Sequence, residues 1–317
     1  MKSLSSNTLI KGILLIFVIG LSVTSCKKEH NKGPKTIYGT IANDPNYSFL
    51  TAAVNKAGLV SALNTDDKSD LTLFAPTNDA FIAAGFKTPA DLASIPDTTL
   101  KAILLYHVLG SKVGAAQIPQ ASNTAVTTLN GQPLYATRTS DGKVFINGVS
   151  VIKANIECTN GVIHDINRVL IPATGTIVQT AISNPNFSLL VAAVLRASQG
   201  STNVAEVLSG AGPFTVFAPT NQAFVNAGFA DAAAINAADP NTLTSILTYH
   251  VIAGRIFSSD LTNGATPATV NGEKVTISLT SGAQVKGNGN AAPSNITATD
   301  IVTTNGVIHV IDQVLLP

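Results

Sequence analysis

The sequence predicts an α+β fold that occurs twice in tandem. Residues 71–81 (LTLFAPTNDAF) return as residues 214–224 (FTVFAPTNQAF), 143 positions later. A period of about 140 residues is the size of a whole globular domain and is far too long for a solenoid repeat. Within each copy, helical segments come first and a series of short β-rich segments follows. We therefore expect two domains, residues 36–172 and 176–317.

Helical periodicity marks the first half of each copy. Phe49, Leu50, Ala53 and Val54 recur at the spacing of one helix face, and a similar pattern returns 140 positions later. Polar residues occupy the opposite face, as is typical of a helix that packs on a core. An amphipathic helix is therefore expected near the start of each domain.

Capping residues mark the helices that follow. Thr77 comes directly after a short β-rich segment, residues 71–76, and is expected to cap a short helix. Asp97 is expected to cap a longer helix that continues through Val108, and Asp239 is expected to cap the equivalent helix of the second copy.

The second half of each copy is predicted to be a strand meander. Asn-Gly pairs at 130–131, 147–148 and 271–272 separate β-rich segments, which is a strong signal for hairpins. The predicted strands of the first copy are 126–129, 134–139, 144–146, 149–156 and 162–171. A last strand, 307–316, is expected to close the second copy.

The first 25 residues have the features of a secretory signal peptide. Lys2 and Lys11 precede an apolar run, residues 12–23, that is shorter than a membrane span needs. Small residues that end directly at Cys26 resemble a bacterial lipobox, so we expect Cys26 to be acylated and to become the N-terminus. The alternative is an ordinary signal peptide with an incidental cysteine. Residues 26–35 are predicted to form a flexible tether, and the expected location is the outer membrane, on the exposed side.

Composition narrows the possible partners. The net charge is +1 and only 12% of residues are charged, which argues against a nucleic acid partner. Apart from Cys26 the only cysteine is Cys158, so no disulfide can form within one acylated chain. Cys158 is expected to pack as a small apolar residue.

Four of the five histidines occupy matched positions in the two copies: His107 with His250, and His164 with His309. Helical spacing and strand alternation place all four on apolar faces, which favours buried imidazoles bonded to the backbone. A metal site or an acid–base pair would need further ligands that both copies share. Asp165 follows His164, but Val310 stands at the matched position of the second copy. An enzyme would need His164 or His309 to be accessible beside a carboxylate in a cleft.

Three repeated motifs resemble those of the fasciclin domain. The first signature matches residues 72–81 and 215–224, the central tyrosine–histidine motif matches Tyr106-His107 and Tyr249-His250, and the second signature matches residues 160–170 and 305–315. The resemblance implies a wedge-shaped β-sandwich with helices packed along one edge, a role in cell adhesion and no cofactor. In animal members the tyrosine–histidine region has been linked to integrin binding.

The leading functional hypothesis is a lipid-anchored surface protein without enzymatic activity. Its fasciclin domains would bind protein or glycan partners through loops and the surface of the sheet. The alternative is an accessory protein that captures polysaccharides or small ligands at the outer membrane. That alternative requires a concave apolar pocket with a few polar groups.

Overall fold

The computed structural model describes residues 35–65 and 70–317. The predicted signal peptide, Cys26 and nearly all of the predicted tether lie outside these residues. The described residues form one compact unit that contains both domains.

The first domain starts with helices and continues with strands. The helices are α1 (Ile37–Ile41), α2 (Ser48–Lys56), α3 (Val60–Leu63), α4 (Asn78–Ala83) and α5 (Asp97–Tyr106), with short 3-10 turns at Pro45–Tyr47, Pro89–Ser94 and Ala115–Gln117. The strands are β1 (Leu71–Pro76), β2 (Val108–Leu109), β3 (Thr124–Thr127), β4 (Pro133–Arg138), β5 (Val144–Ile146), β6 (Val149–Cys158) and β7 (Gly161–Ile166).

The second domain repeats this order. Its helices are α6 (Ile177–Ser183), α7 (Ser188–Ala197), α8 (Val204–Ser209), α9 (Asn221–Asn226), α10 (Ala232–Ala237) and α11 (Pro240–Tyr249), with 3-10 turns at Pro185–Phe187 and Ser258–Asp260. Its strands are β8 (Phe214–Pro219), β9 (Val251–Ala253), β10 (Thr276–Ser278), β11 (Gln284–Lys286), β12 (Ser294–Thr303) and β13 (Gly306–Ile311). The predicted α+β class and tandem organisation are confirmed.

Each domain is built on one curled sheet. The strand order is β2-β1-β7-β6-β5-β4-β3 in the first domain and β10-β11-β12-β13-β8-β9 in the second. The pairs β1–β7 and β8–β13 are parallel, and the other strand pairs of the described residues are antiparallel. Parallel strands are usually buried on both faces, and every residue of β1 is buried, including the polar Thr72.

The sheet separates two apolar cores in each domain. In the first domain Leu73 and Ala75 face the helices, while Phe74 faces the core enclosed by the curled sheet. Since successive residues of a strand point to opposite faces, β1 contributes to both cores. The second domain divides in the same way, with Val216 on the helical side and Phe217 on the other.

The predicted cap at Asp97 is wrong. Pro96 occupies the N-cap position of α5, and the Asp97 carboxylate instead accepts a hydrogen bond from Lys56 Nζ at 2.7 Å. Asp239 does cap α11, where it accepts from the backbone N–H of Thr242 at 2.8 Å. At the matched positions the first copy has Pro96-Asp97 and the second has Asp239-Pro240. Only the second copy therefore has a carboxylate at the N-cap position.

Several predicted boundaries also differ from the structure. Helix α5 ends at Tyr106, and the following Val108 begins a short strand that pairs with β1. The last strands end at Ile166 and Ile311, short of residues 171 and 316. Beyond these points the chain leaves the sheet. Its backbone N–H groups at Leu170 and Leu315 then donate hydrogen bonds to His107 and His250, which follow the helices α5 and α11.

Among the described residues, no single helix is long and apolar enough to cross a membrane. Helix α6 passes that test only together with residues Pro185–Ala197, and the two segments are bent by 106°.

Candidate functional site

The histidine at the end of α5 is an internal connector. His107 is fully buried, and its Nδ1 lies 2.8 Å from the carbonyl oxygen of Ile103, one turn earlier. Its Nε2 accepts a hydrogen bond from the backbone N–H of Leu170 at 2.9 Å. Since Nε2 is the acceptor, Nδ1 carries the proton and donates to the carbonyl. One neutral imidazole thus ties the helix to the segment that follows the last strand.

The second domain repeats this arrangement. His250 Nδ1 lies 2.8 Å from the carbonyl oxygen of Ile246, and its Nε2 accepts from the N–H of Leu315 at 2.8 Å. Burial lowers the pKa of His107 and of His250 to about 4 because the charged form would lose its hydration. Both imidazoles are therefore neutral at physiological pH.

The strand histidines are buried in the opposite tautomer. His164 donates from Nε2 to the carbonyl oxygen of Val113 (2.8 Å), and its Nδ1 accepts from the N–H of Asn155 (3.2 Å). His309 repeats both bonds, with Ile256 and Asp300. Burial lowers the pKa of His164 and of His309. Neither imidazole is exposed to solvent, so the accessibility that an enzymatic role for them required is missing.

The motif tyrosines are internal as well. Tyr106 is fully buried and donates to the carbonyl oxygen of Pro133 at 3.0 Å, while the amide of Asn147 donates to its hydroxyl at 2.9 Å. Tyr249 is also fully buried and donates to the carbonyl oxygen of Lys274 at 2.7 Å. These rings join the helical half of each domain to its meander. They offer no accessible surface for a partner.

An ion pair joins the two domains. Arg168 of the first domain lies 2.7 Å from Asp300 of the second, whose side chain is only 2% exposed. The backbone N–H and the hydroxyl of Ser258 both donate to the Asp300 carboxylate at 2.6 Å. Burial by itself raises the pKa of Asp300, but the bonds from Ser258 and Arg168 outweigh it and hold the pKa below its ordinary value.

Aromatic contacts extend this junction. The Tyr135 ring of the first domain lies 6.0 Å from the ring of Phe257, and the guanidinium of Arg255 sits 4.2 Å from the centre of the same tyrosine. Such a cation–π contact is worth roughly 1 kcal/mol or more when it is sheltered from water. The amide of Asn123 donates to the carbonyl oxygen of Arg255 at 2.8 Å and to the Asp260 carboxylate at 3.1 Å.

The junction residues are specific to their own copy. The sequence did not predict these contacts, although alignment of the copies marks each position as different. The matched pairs are Phe257 with Gly114, Arg255 with Lys112, Asp300 with Asn155, Tyr135 with Thr276, and Arg168 with Gln313. The residues that hold the domains together are therefore not those that build the shared fold.

A cleft of about 310 Å³ opens beside the interdomain ion pair. Its polar lining residues include Arg168, Asp300, Thr174 and Thr180, and Ile171 is among its apolar residues. Within residues 35–65 and 70–317, no three His, Cys, Asp or Glu side chains are grouped so that they could hold a metal ion. The only described cysteine, Cys158, is buried and has a raised pKa because of burial.

Known proteins similar to this chain include animal and cyanobacterial ones. Transforming growth factor-beta-induced protein ig-h3 of Sus scrofa is 28% identical over 249 residues, which cover 78% of this chain and 34% of that protein. Human periostin is 30% identical over 80% of this chain and 29% of its own length. Protein sll1483 of Synechocystis is 42% identical over 45% of this chain and 73% of its own length. The chain thus spans about a third of the two animal relatives.

The chain is also similar to a solved structure and matches the model of a protein family. A FAS1 domain pair from the insect cell adhesion molecule fasciclin I covers 85% of this chain, with a TM-score of 0.41 and 20% identity. The model of the fasciclin domain matches residues 45–172 and again residues 185–317. Since these two matches make up most of the chain, the chain belongs to the fasciclin-domain family.

Proposed function

We propose that this protein is a non-enzymatic interaction protein of the cell surface that binds protein or glycan partners. The observation that carries the proposal is a pair of fasciclin domains held in one arrangement by contacts specific to each copy. The adhesive role implied by the family supports this assignment. The matched histidines and tyrosines are occupied by bonds inside each domain, so partners would meet other residues.

Partner binding would use exposed loops and sheet surfaces. Because Arg168, Asp300 and Phe257 join the domains, a large ligand could contact both domains without first ordering them. A rigid pair loses less conformational entropy on binding than two domains on a free linker. The integrin-type role of the tyrosine–histidine region is not part of this proposal, because Tyr106 and Tyr249 are fully buried.

The test is binding of the full chain to a glycan array and to a panel of immobilised matrix proteins at physiological salt. We expect at least one partner to be retained. The matched variant is Phe257→Ala, which loosens the domain pair. It should weaken the binding of any partner that contacts both domains. Failure to retain a partner from either panel would contradict the proposal.

We also propose that Cys26 carries the lipid that anchors the chain to the outer membrane. The small-residue segment before this cysteine supports the assignment. Mass spectrometry of the mature protein should find an acylated N-terminal cysteine, and Cys26→Ser should release the protein from the membrane fraction. Protease added to intact cells would degrade the protein if it lies on the exposed side. An unmodified Cys26 in membrane-bound protein would rule out this anchor.

The interdomain cleft favours a second candidate, capture of a polysaccharide or a small ligand. The cleft combines apolar residues with Arg168, Asp300 and two threonines, which is typical of ligand sites at domain boundaries. Thr174→Phe should obstruct the cleft, whereas Thr98→Phe places the same ring on an exposed position elsewhere. Calorimetric titration with oligosaccharides should show binding that only Thr174→Phe removes. Binding unaffected by Thr174→Phe would exclude this site.

A further inference from the structure

An apolar groove lies between the helices of the second domain. It has a volume of about 90 Å³, whereas the cavity of the first domain that overlaps it in part measures about 20 Å³ and has no residue of α1 in its lining. Helices α6, α7, α8 and α11 and strand β8 form its walls. The two domains share one fold, so the first domain is an internal control for what the second has gained.

Two side chains that are shorter than their counterparts in the first domain contribute to the larger volume of this groove. Ile41, which is fully buried in the first domain, is matched by Ala181 in the second. Leu73 is matched by Val216 in the same way. Each replacement removes methyl or methylene groups from a packed core and leaves space that neighbouring side chains fill only in part. Both of the shorter residues line the groove.

The rim of the groove has changed from polar to apolar. In the first domain Tyr38 donates its hydroxyl hydrogen bond to Asn55 Oδ1 at 2.8 Å across the surface of α1 and α2. The second domain has Val178 and Leu195 at these two positions. At two further rim positions, the polar Thr51 is matched by Val191, and the small Ala42 is matched by the larger Ile182.

The altered rim leaves large apolar side chains in water. Ile182 is 64% exposed and Leu195 is 59% exposed, and both line the groove. Isolated exposed apolar residues are common, but a contiguous set around an apolar opening indicates a binding surface. Four coordinated replacements at one site therefore point to a ligand of the second domain alone.

The chemistry of the walls defines the ligand. His250 is the only ionisable residue in the lining, and both of its ring nitrogens are already bonded to Ile246 and Leu315. A peptide strand would bring backbone N–H and C=O groups against walls that offer them no partner, which is costly. A hydrocarbon chain brings no polar group.

We propose that this groove binds the aliphatic chain of a lipid. The end of the chain enters between Ala181 and Val216, and the rest lies over Ile182 and Leu195 with its polar head in solvent. This site lies on the helical face of the second domain and is lined by other residues than the interdomain cleft. The inference does not depend on the proposed role in adhesion.

The test is a fluorescence titration of the full chain with cis-parinaric acid, a fatty acid that fluoresces when its chain enters an apolar site. The wild type should show a saturable signal. Val178→Tyr combined with Leu195→Asn restores the rim of the first domain and should weaken binding by about tenfold or more, since several methylene groups lose contact. Ile152→Asn removes an equally exposed apolar residue from the first domain and should leave binding unchanged.

A second variant tests the depth of the groove. Ala181→Ile restores the residue of the first domain and should also reduce the saturable signal, with circular dichroism to show that the domain is folded. Equal binding by the wild type and the rim variant would overturn the proposal, as would a wild type with no saturable signal. Light scattering supplies a further check. A wild-type dimer that Leu195→Asn converts to monomer would assign the face to a second copy of the chain and overturn the lipid assignment.

Discussion

The two domains share their interior and differ at their surfaces. Asn160 in the first domain accepts from the N–H of Ile37 at 2.8 Å and donates to the end of α3, and Asn305 does the same with Ile177 (2.9 Å) and α8. These repeated residues fix helices to the sheet in both copies. By contrast, the junction consists largely of residues that occur in one copy only, and the groove differs from the first domain at its rim and at Ala181 and Val216. Repetition therefore marks the scaffold, and divergence marks the sites of interaction.

The junction shows what divergence achieves. In the first domain Lys112 pairs with Glu157 at 2.7 Å on the surface, whereas the matched Arg255 packs on Tyr135 of the neighbouring domain. Gly114 occupies the position of Phe257 and supplies no ring. The first domain thus lacks, at these matched positions, the groups with which the second domain joins the pair.

Removal of the junction phenylalanine is expected to have the largest effect. Phe257 is almost fully buried against Tyr135, so Phe257→Ala should lower the free energy of unfolding by about 3 kcal/mol. Limited proteolysis should also cut the linker at residues 172–175 faster, because the domains separate more easily. Phe229→Ala removes a partly buried ring from the second domain alone and should not affect the linker. Equal protection of the linker in the wild type and Phe257→Ala would show that the ring does not hold the pair.

The helix histidines test the shared scaffold. His107→Ala leaves the N–H of Leu170 without its partner and creates a cavity, so we expect a loss of about 2 to 3 kcal/mol in chemical unfolding. His250→Ala should cost a similar amount because its bonds are the same. A loss below about 0.5 kcal/mol in either domain, the range typical of a surface substitution, would contradict the structural role.

These histidines also make the stability of the folded chain depend on pH. The pKa of both falls from 6.5 in the unfolded chain to about 4 in the folded one, so the unfolded state binds more protons between these values. The contribution to stability is fully present above pH 6.5 and is lost as the pH falls towards 4. Unfolding midpoints measured from pH 7 to pH 4 should decline less steeply in His107→Ala than in the wild type. Parallel declines would exclude His107 as a source of the acid sensitivity.

The interdomain ion pair is expected to have an intermediate effect. Asp300→Asn introduces the residue of the first domain and removes the charge that Arg168 faces, for a loss of about 1 to 2 kcal/mol at pH 7. The pKa of Asp300 is lowered in the folded state, so its contribution is present above the ordinary value of 3.8 and is lost as the pH falls below it. The wild type and Asp300→Asn should therefore converge in stability at low pH. A constant difference across this range would indicate that the charge is not responsible.

A helix cap gives the smallest expected effect and a matched control. Thr220 accepts from the N–H of Ala223 at 3.2 Å, whereas the hydroxyl of Thr77 makes no such bond with α4. Thr220→Ala should cost about 1 kcal/mol and Thr77→Ala less than about 0.5 kcal/mol in thermal unfolding. Equal losses would mean that the cap bond is not the source of the difference.

Local patterns predicted much of this fold because they depend on neighbouring residues. Helical spacing identified α2, and strand alternation placed His164 on a buried face. The parallel pairing of β1 with β7 was not predicted, because it joins segments that are about 90 residues apart and leaves no local signal.

The candidate sites were harder to predict than the scaffold. Junction contacts such as Tyr135 with Phe257 join different domains, and neither residue has a counterpart in the other copy that would reveal its role. The groove left a signal that could have been found, namely the paired change of Tyr38 and Asn55 to Val178 and Leu195. That signal has a meaning only when the fold places the two positions side by side.

Residues that occur in one copy only hold the two copies of the scaffold in a single arrangement. Residual dipolar couplings of the full chain in a dilute aligned medium test this arrangement most directly. One alignment tensor should fit the amide couplings of both domains in the wild type, whereas Phe257→Ala with Asp300→Asn should require two different tensors. If the wild type already requires two tensors, or the double variant is still fitted by one, these residues do not fix the arrangement of the domains.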